Sequence, residues 1–479
     1  MKQETPTVST IPMTINGREV MAASSFDVID PATGRAFASA PQADRAQLEE
    51  AMAAAQRAFS SWRRVEPAER QRIVAACADA LLAAREPLAR LLTQEQGKPI
   101  RAARHEVDET ARWFRHYAGA DLSDRVVQDD AGALARVQRQ PLGVVAAITP
   151  WNFPLLLAAM KLAPALVTGN VVVLKPSPFT PLATLEMGRL LARVLPAGVL
   201  NVVTGGNDLG AWMSVHPVVR KISFTGSVAT GMAVAANAAA DLKRVTLELG
   251  GNDAAIVLDD ADPARIARGL LWGAFTNAGQ ICAGIKRVFV PETLHDAVAA
   301  ALVETARGIR VGAGLDEAAQ MGPVATRPQF ERVGTLIAEA LGDGAKALCG
   351  GVPEDRPGGG YFVRPTILSD TREGMRVVDE EQFGPVLPLL RYRDVDEALA
   401  RANSGNFGLS ASVWSGSEAR ARVVAAELDC GSTYVNTHLV IKPELPFGGV
   451  RWSGIGVENG EWVLDEYTHP KVLYVERTR

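Results

Sequence analysis

The sequence predicts an α/β protein built on parallel sheets, and three observations predict it. Short β-branched runs recur from Pro141 onward, "PLGVVAAITP", "GNVVVLKPS", "GVLNVVTGG", "VRKISFTGS" and "RVTLELGG", each followed by a helix-like stretch. Brief apolar runs bounded in this way are what strands covered on both faces of a parallel sheet require. A second rhythm of the same kind starts at "DAAIVLDDADPARIARG" and continues through "RVFVPETL", "YFVRPTIL" and "SASVWSG". Finally, 479 residues exceed what one compact core spans, so about two or three domains are expected, the middle one doubly wound.

Taken in order, the first 118 residues read as a short β-rich entry, with "IPMTINGREV" and the turn "DPATG", followed by Ala-rich amphipathic helices. In "PAERQRIVAACADALLAAREPLARLLTQEQG" Pro67 can open a helix without wasting an amide, and Ile73, Val74, Cys77, Leu81 and Leu82 share a face. Cys77 is therefore a core thiol. Residues 121–140, "DLSDRVVQDDAGALARVQRQ", alternate polar and apolar side chains outside either core. They form either a surface hairpin or an edge that pairs with another subunit.

Composition excludes several functions. Fifty Lys and Arg against 54 Asp and Glu leave a net charge of −4, with no basic footprint for nucleic acid or an acidic membrane. The start of the chain lacks a signal or transit pattern, and the most apolar stretch, "NFPLLLAAMKLAPALV", is interrupted by Lys161 and two prolines. A cytoplasmic protein is expected. Cys77, Cys282, Cys349 and Cys430 match neither a disulfide framework nor a zinc site, and the six histidines form no metal-binding pair. No metal is expected.

Several short stretches carry chemistry. In "ISFTGSVATG", Gly226 and Gly231 bracket a strand-to-helix turn, where backbone amides can approach an anion. Lys175 in "VVVLKPSPFTP" ends a strand at the edge where open α/β sheets bind ligands, and could donate to ribose or phosphate. In "ITPWNFP", Pro150 and Pro154 stiffen a loop that carries Asn152, which either satisfies the turn or offers an amide to a developing oxyanion. Glu248 in "TLELGGND" closes an apolar strand, where a carboxylate is costly unless paired or kept for proton transfer. Glu381 and Phe383 in "EEQFGPV" precede a Gly-Pro turn that could bond a ribose and buttress a ring. "NAGQICAGIKR" sets Cys282 among Gly279, Gln280 and Gly284, as a buried thiol or as a nucleophile with room for a carbonyl beside it.

Together, "PWNFP", "KPS", "FTGS", "LELGG", "GQICAGIKR", "EEQFGPV", "PFGG" and "SGIG", in this order, resemble the aldehyde dehydrogenase superfamily from about Ile15 to the end. The resemblance implies a Rossmann-like cofactor domain (1–120 and 141–250, with part of 445–465), an α/β catalytic domain (251–444) and a small β oligomerisation element (121–140 and 466–479). In the last, "HPKVLYVERTR" would pair with a partner subunit in a homodimer or homotetramer. By the same resemblance Cys282 attacks an aldehyde, Asn152 and the Cys282 amide hold the oxyanion, and Glu248 activates the water that releases a free acid. Lys161 and Glu458 pair behind the site.

Cofactor contacts are implied for Ile148, Thr149, Pro150, Trp151, Lys175, Ser177, Pro178, Gly226, Ser227, Thr230, Gly231, Leu249, Gly250, Glu381 and Phe383. Pro178 stands where many NAD-specific members carry Glu, yet nothing basic replaces that carboxylate. NAD is therefore expected, with NADP as the alternative. The implied substrate positions, Phe153, Leu157, Met160, Ile281, Ala283, Ile441 and Phe447, are all apolar. They suit an aromatic or medium aliphatic aldehyde, whereas His438, Lys442 and Glu444 near the mouth keep a charged semialdehyde or aminoaldehyde open. Two other classes compete. A silent cofactor-binding protein is opposed by the presence of Cys282, Glu248 and Asn152, and a cysteine hydrolase by the lack of a His near Cys282.

Overall fold

The computed structural model describes residues 10–354 and 359–477; positions 1–9 of the expected cofactor domain and 478–479 of the expected oligomerisation element lie outside them. Two large sheets organise these residues. The first orders its strands Arg18–Val20, Met13–Ile15, Leu200–Val202, Val171–Lys175, Val144–Ile148, Val219–Thr225, Arg244–Glu248 and Gly454–Ile455. Its five central strands are parallel. They contain the five apolar runs of the sequence, and those closest to the middle are buried on both faces.

The chain builds outward from Val144–Ile148 to one side, then returns to lay Val219–Thr225 on its other side. Strand order reverses between these two neighbours. Their carboxyl ends therefore splay apart into the crevice where doubly wound sheets bind ligands. The second sheet repeats the plan with Lys346–Cys349, Thr366–Ser369, Val386–Tyr392, Ile285–Pro291, Asp253–Val257, Ser410–Trp414 and Ser432–Val435. All its pairings are parallel except the first.

Helices cover the sheets as their sequences dictate. Asp44 and Gln47 form a reciprocal capping box at the start of Arg45–Trp62. The stretch opened by Pro67 is not one helix but two, Pro67–Ala83 and Arg85–Gln96. Pro87 has no amide to reach the Ala83 carbonyl four residues back, so the helix turns there. Cys77 is buried on the core face of the first. The apolar stretch around Lys161 is the buried helix Pro154–Val167, and no helix among the described residues is long and apolar enough to cross a membrane.

Residues 121–140 form a hairpin, Arg125–Asp129 with Ala133–Pro141, and the last strand, Thr468–Glu476, pairs with its second arm along nine residue pairs. The 121–140 segment and the last strand thus join in one small sheet within the chain. The other edge of the last strand stays open, with Val472, Leu473, Tyr474 and Val475 exposed.

Candidate active site

The carboxyl ends of Val144–Ile148 and Val219–Thr225 open into a cleft of about 500 Å³. From the first sheet it is lined by Pro150, Trp151 and Asn152, by Thr225, Gly226 and Ser227, and by Leu249 and Gly250. Cys282, Glu381 and Phe383 close it from the side of the second sheet. Trp151 and Phe383 meet edge to face across it, ring centres 5.3 Å apart at 85°. Phe383 holds φ at +52°, a strained conformation for an aromatic residue that costs about 1–3 kcal/mol. Gln329 maintains it by donating to the carbonyls of Gln382 (2.8 Å) and Phe383 (3.1 Å).

Two loops meet at the floor. The Asn152 amide group donates to the Gln280 carbonyl at 3.0 Å, which leaves its second N–H for another acceptor. In return, Asn277 donates to the Asn152 carbonyl at 3.1 Å. Asn277, Ala278 and Gly279 run consecutively in the left-handed region, a tight reversal that delivers Cys282 to the cleft. The expectation that Gly279 makes room for a substrate carbonyl is corrected here. A Cβ on it would stand 2.2 Å from the Gly384 carbonyl oxygen, so it serves backbone packing. Burial first, then the charges of Glu248 and Glu381, pushes the Cys282 thiol up to about 12. The Cys282 amide donates to no group among the described residues.

Glu248 ends its strand with both carboxylate oxygens buried and unpartnered. Burial, reinforced by Glu458 and opposed by Lys161, holds its pKa well above the ordinary carboxylate value. Lys161 and Glu458 pair directly behind it with side chains 0% and 1% exposed, and Lys161 also donates to Thr225 Oγ1 at 2.7 Å. A hydroxyl in the cleft wall is thus bonded to the buried pair.

The other implied cofactor positions are spread along the same edge. Ile148 ends its strand, and Thr149 donates its amide to the Lys175 carbonyl at 3.0 Å. Lys175 is buried, with the Pro176 carbonyl at 3.4 Å the one hydrogen-bond partner of its ammonium among the described residues, and burial pulls its pKa down to about 8. Ser177 is buried and Pro178 half-buried. Ser227 caps Val228–Ala239 by accepting from the Thr230 amide, so the amides of Val228 and Ala229 in the cleft wall are those no helix carbonyl can reach.

Gly231 departs from expectation. It lies inside that helix, where a Cβ would come within 2.4 Å of Leu249 Cδ2; it seats the helix on the sheet instead of approaching an anion. A buried lone cation, free helix amides, the Glu381 carboxylate and a pair of aromatic jaws along one switch-point crevice fit a dinucleotide.

The seven implied substrate positions do not line this cleft. Ala283, Met160, Phe447 and Ile281 are buried, while Phe153, Leu157 and Ile441 are half-buried. Of the polar residues expected near the mouth, His438 turns inward to the Ala283 carbonyl (2.9 Å), and burial pushes its pKa down to about 3. Glu444 is bonded by Arg112, and Lys442 is exposed. Sequence reading missed Gln329, Arg332, Phe407 and Trp452, which also line the cleft, as well as the Lys98–Glu106 pair behind Asn152. Gln329 and Arg332 belong to an ordinary amphipathic helix, Arg327–Gly342, and nothing in its pattern sets them apart.

Comparison with known proteins gives the family. The model of the aldehyde dehydrogenase family matches residues 20–473. The chain is 40% identical over 480 residues to the phenylacetaldehyde dehydrogenase of Pseudomonas fluorescens, spanning 97% of this chain and 95% of that protein. It is 40% identical over 469 residues to the betaine aldehyde dehydrogenase of Mesorhizobium japonicum, spanning 96% of each. The structure of the NAD+ complex of a Bacillus cereus aldehyde dehydrogenase matches with a TM-score of 0.95 at 36% identity, over 98% of this chain and 97% of that one. A Staphylococcus aureus betaine aldehyde dehydrogenase in complex with NAD+ gives 0.94 at 33%, over 98% and 95%.

The chain is therefore a nicotinamide-dependent oxidoreductase, and it belongs to the aldehyde dehydrogenase family. Its reaction is the oxidation of an aldehyde.

Proposed function

We propose that the chain oxidises an aromatic or medium aliphatic aldehyde to the free acid, with Cys282 as nucleophile, Asn152 as oxyanion donor and Glu248 as base. The single observation that carries this reading is the convergence of Asn152 and Cys282 on one switch-point cleft, with the unpartnered Glu248 carboxyl behind it. The Cys282 thiol, held protonated by its surroundings, loses its proton to solvent in the open cleft as sulfur bonds to the aldehyde carbon. The new oxyanion is met by the second Asn152 N–H and by the Cys282 amide. NAD, when bound in the cleft, would supply the acceptor for the hydride that the Cys282 adduct loses on becoming a thioester. Glu248 then takes a proton from water as its oxygen attacks the acyl carbon, and the sulfur leaves as the acid forms. Lys161 and Glu458 set the charge balance around that carboxyl.

NAD is preferred over NADP because no basic side chain accompanies Pro178 in "KPSP". Lys175 and Glu381 would hold ribose hydroxyls, and the amides at the start of Val228–Ala239 would meet the pyrophosphate. The domains follow the boundaries 1–120 with 141–250 and part of 445–465, 251–444, and 121–140 with 466–479. The open edge of Thr468–Glu476 joins copies into a homodimer or homotetramer in the cytoplasm. An apolar substrate is supported by the neutral, inward His438 and the bonded Glu444, which remove two of the three charges expected near the mouth.

The test is a panel of phenylacetaldehyde, hexanal, succinic semialdehyde and betaine aldehyde with NAD and with NADP, followed by absorbance of the reduced cofactor. The highest kcat/KM is expected for phenylacetaldehyde with NAD, and Cys282→Ala should be inactive. A preference for either charged aldehyde would overturn the substrate assignment.

A further inference from the structure

Behind the Asn152 loop lies a buried ion pair that the chemistry above does not use. Lys98 and Glu106 are each 2% exposed and pair directly. Lys98 Nζ also donates to the Asn152 carbonyl at 2.8 Å and stands 3.9 Å from the centre of the Phe153 ring. Glu106 Oε1 accepts from the amides of Leu155 (3.0 Å) and Leu156 (3.3 Å), in the first turn of Pro154–Val167. Apart from Pro154, every residue from Asn152 to Leu156 is thus touched by one of the two charges. A buried ion pair is seldom more stable than a well-packed apolar pair of the same volume. Here its remaining hydrogen-bonding capacity is spent on the backbone of a single loop.

The base of this clamp is itself fixed. Gly97 takes φ +93°, with no room for a Cβ between Pro31 and Pro323, each 2.8 Å from where it would stand. The Ile100 amide donates to the Gly314 carbonyl at 2.8 Å. The Asn152 carbonyl that Lys98 holds is the same one that Asn277 holds from the cysteine loop.

We propose that Lys98 and Glu106 are positioning residues for the oxyanion step: their ion pair fixes the Asn152 backbone, and with it the direction of the amide N–H that meets the substrate oxygen. The inference rests on the reading of Asn152 as oxyanion donor. Such a donor must lie about 2.7–3.1 Å from the oxygen it stabilises, and a shift of about 1 Å costs on the order of a hundredfold in rate.

The experiment compares Lys98→Met/Glu106→Gln, Lys98→Arg, Asn152→Ala and the combined triple variant in the full chain. Removing both charges together avoids leaving one buried and unpaired, so the double variant should fold. The readouts are first-turnover formation of reduced cofactor, the KM for aldehyde, and the rate at which iodoacetamide alkylates Cys282, a reaction with no oxyanion. The double variant should lose about a hundredfold in first-turnover rate, keep its KM and alkylation rate, and lose nothing more on an Asn152→Ala background; Lys98→Arg should recover most of the rate. A wild-type rate in the double variant, or a full hundredfold loss on top of Asn152→Ala, overturns the inference alone. A wild-type rate in Asn152→Ala overturns the oxyanion reading and the inference with it.

Discussion

Lys161→Met tests how firmly the buried charges beneath Glu248 depend on one another. Lys161 and Glu458 have side chains 0% and 1% exposed; Glu458 Oε1 takes the lysine, and Oε2 has no partner among the described residues. Methionine fills the lysine's volume but leaves a carboxylate buried without its bonded cation, a loss of about 3–5 kcal/mol. Thr225 Oγ1 loses its 2.7 Å donor as well, adding about 1 kcal/mol. The single variant should therefore lose roughly 4–6 kcal/mol. Glu458→Gln keeps an oxygen that Lys161 can still meet but leaves that cation buried without its bonded counter-charge, and should also lose about 3–5 kcal/mol. In the double variant no charge remains to be left unpaired, so its loss should fall about 3 kcal/mol short of the sum of the singles. The assay is the midpoint shift of the first urea transition, converted with a common slope. If Lys161→Met stays within about 1 kcal/mol of the wild type, or the two losses add, the pair is not coupled as argued. The same variant removes the cation that lowers the Glu248 pKa. The pH at which thioester hydrolysis begins should then move upward.

Two further outcomes follow from the site. Because Glu248 is held neutral in the fold above the pH at which an unfolded glutamate ionises, its stabilising contribution is complete at low pH and lost as pH rises toward its folded pKa. Glu248→Gln should thus raise the thermal midpoint at roughly pH 8, with the gain shrinking toward pH 5, as scanning calorimetry at both values would record. Gly231→Ala would place a Cβ 2.4 Å from Leu249 Cδ2, an overpacking that should lose about 1–3 kcal/mol by urea denaturation. An unchanged midpoint would mean the helix is free to move off the sheet.

The parts of this structure that sequence reading reached are those with a local cause. Runs such as "VVVLK" and "VVAAI" are apolar on both sides, and only a covered parallel strand accepts that; both became central strands. Pro67 opens a helix because its missing amide is not needed there. What escaped depends on contacts between distant residues. Nothing local sets Lys98 in "GKP" apart; the Gly314 and Pro323 segment, distant in sequence, packs against it. Gly231 looks like part of an anion-binding turn until Leu249 arrives from the next strand. Gly279 looks like space for substrate until Gly384 comes close to it. The alternating residues of 121–140 specify a hairpin at an edge, but not that its second arm takes the last strand as neighbour; that pairing was reached through the resemblance. The substrate positions were named by resemblance alone, and the cleft that holds Cys282 is bounded by other residues.

The central claim is that Cys282 carries the acyl group and Glu248 releases it. Its most direct measurement is rapid acid quench of Glu248→Gln during turnover with phenylacetaldehyde and NAD, followed by peptide mass spectrometry. An acyl adduct on the Cys282 peptide should build to near one per chain, alongside one equivalent of reduced cofactor and a steady rate slowed about 10²–10⁴-fold. Full steady turnover without an adduct, or an adduct on Cys77, Cys349 or Cys430, would contradict it.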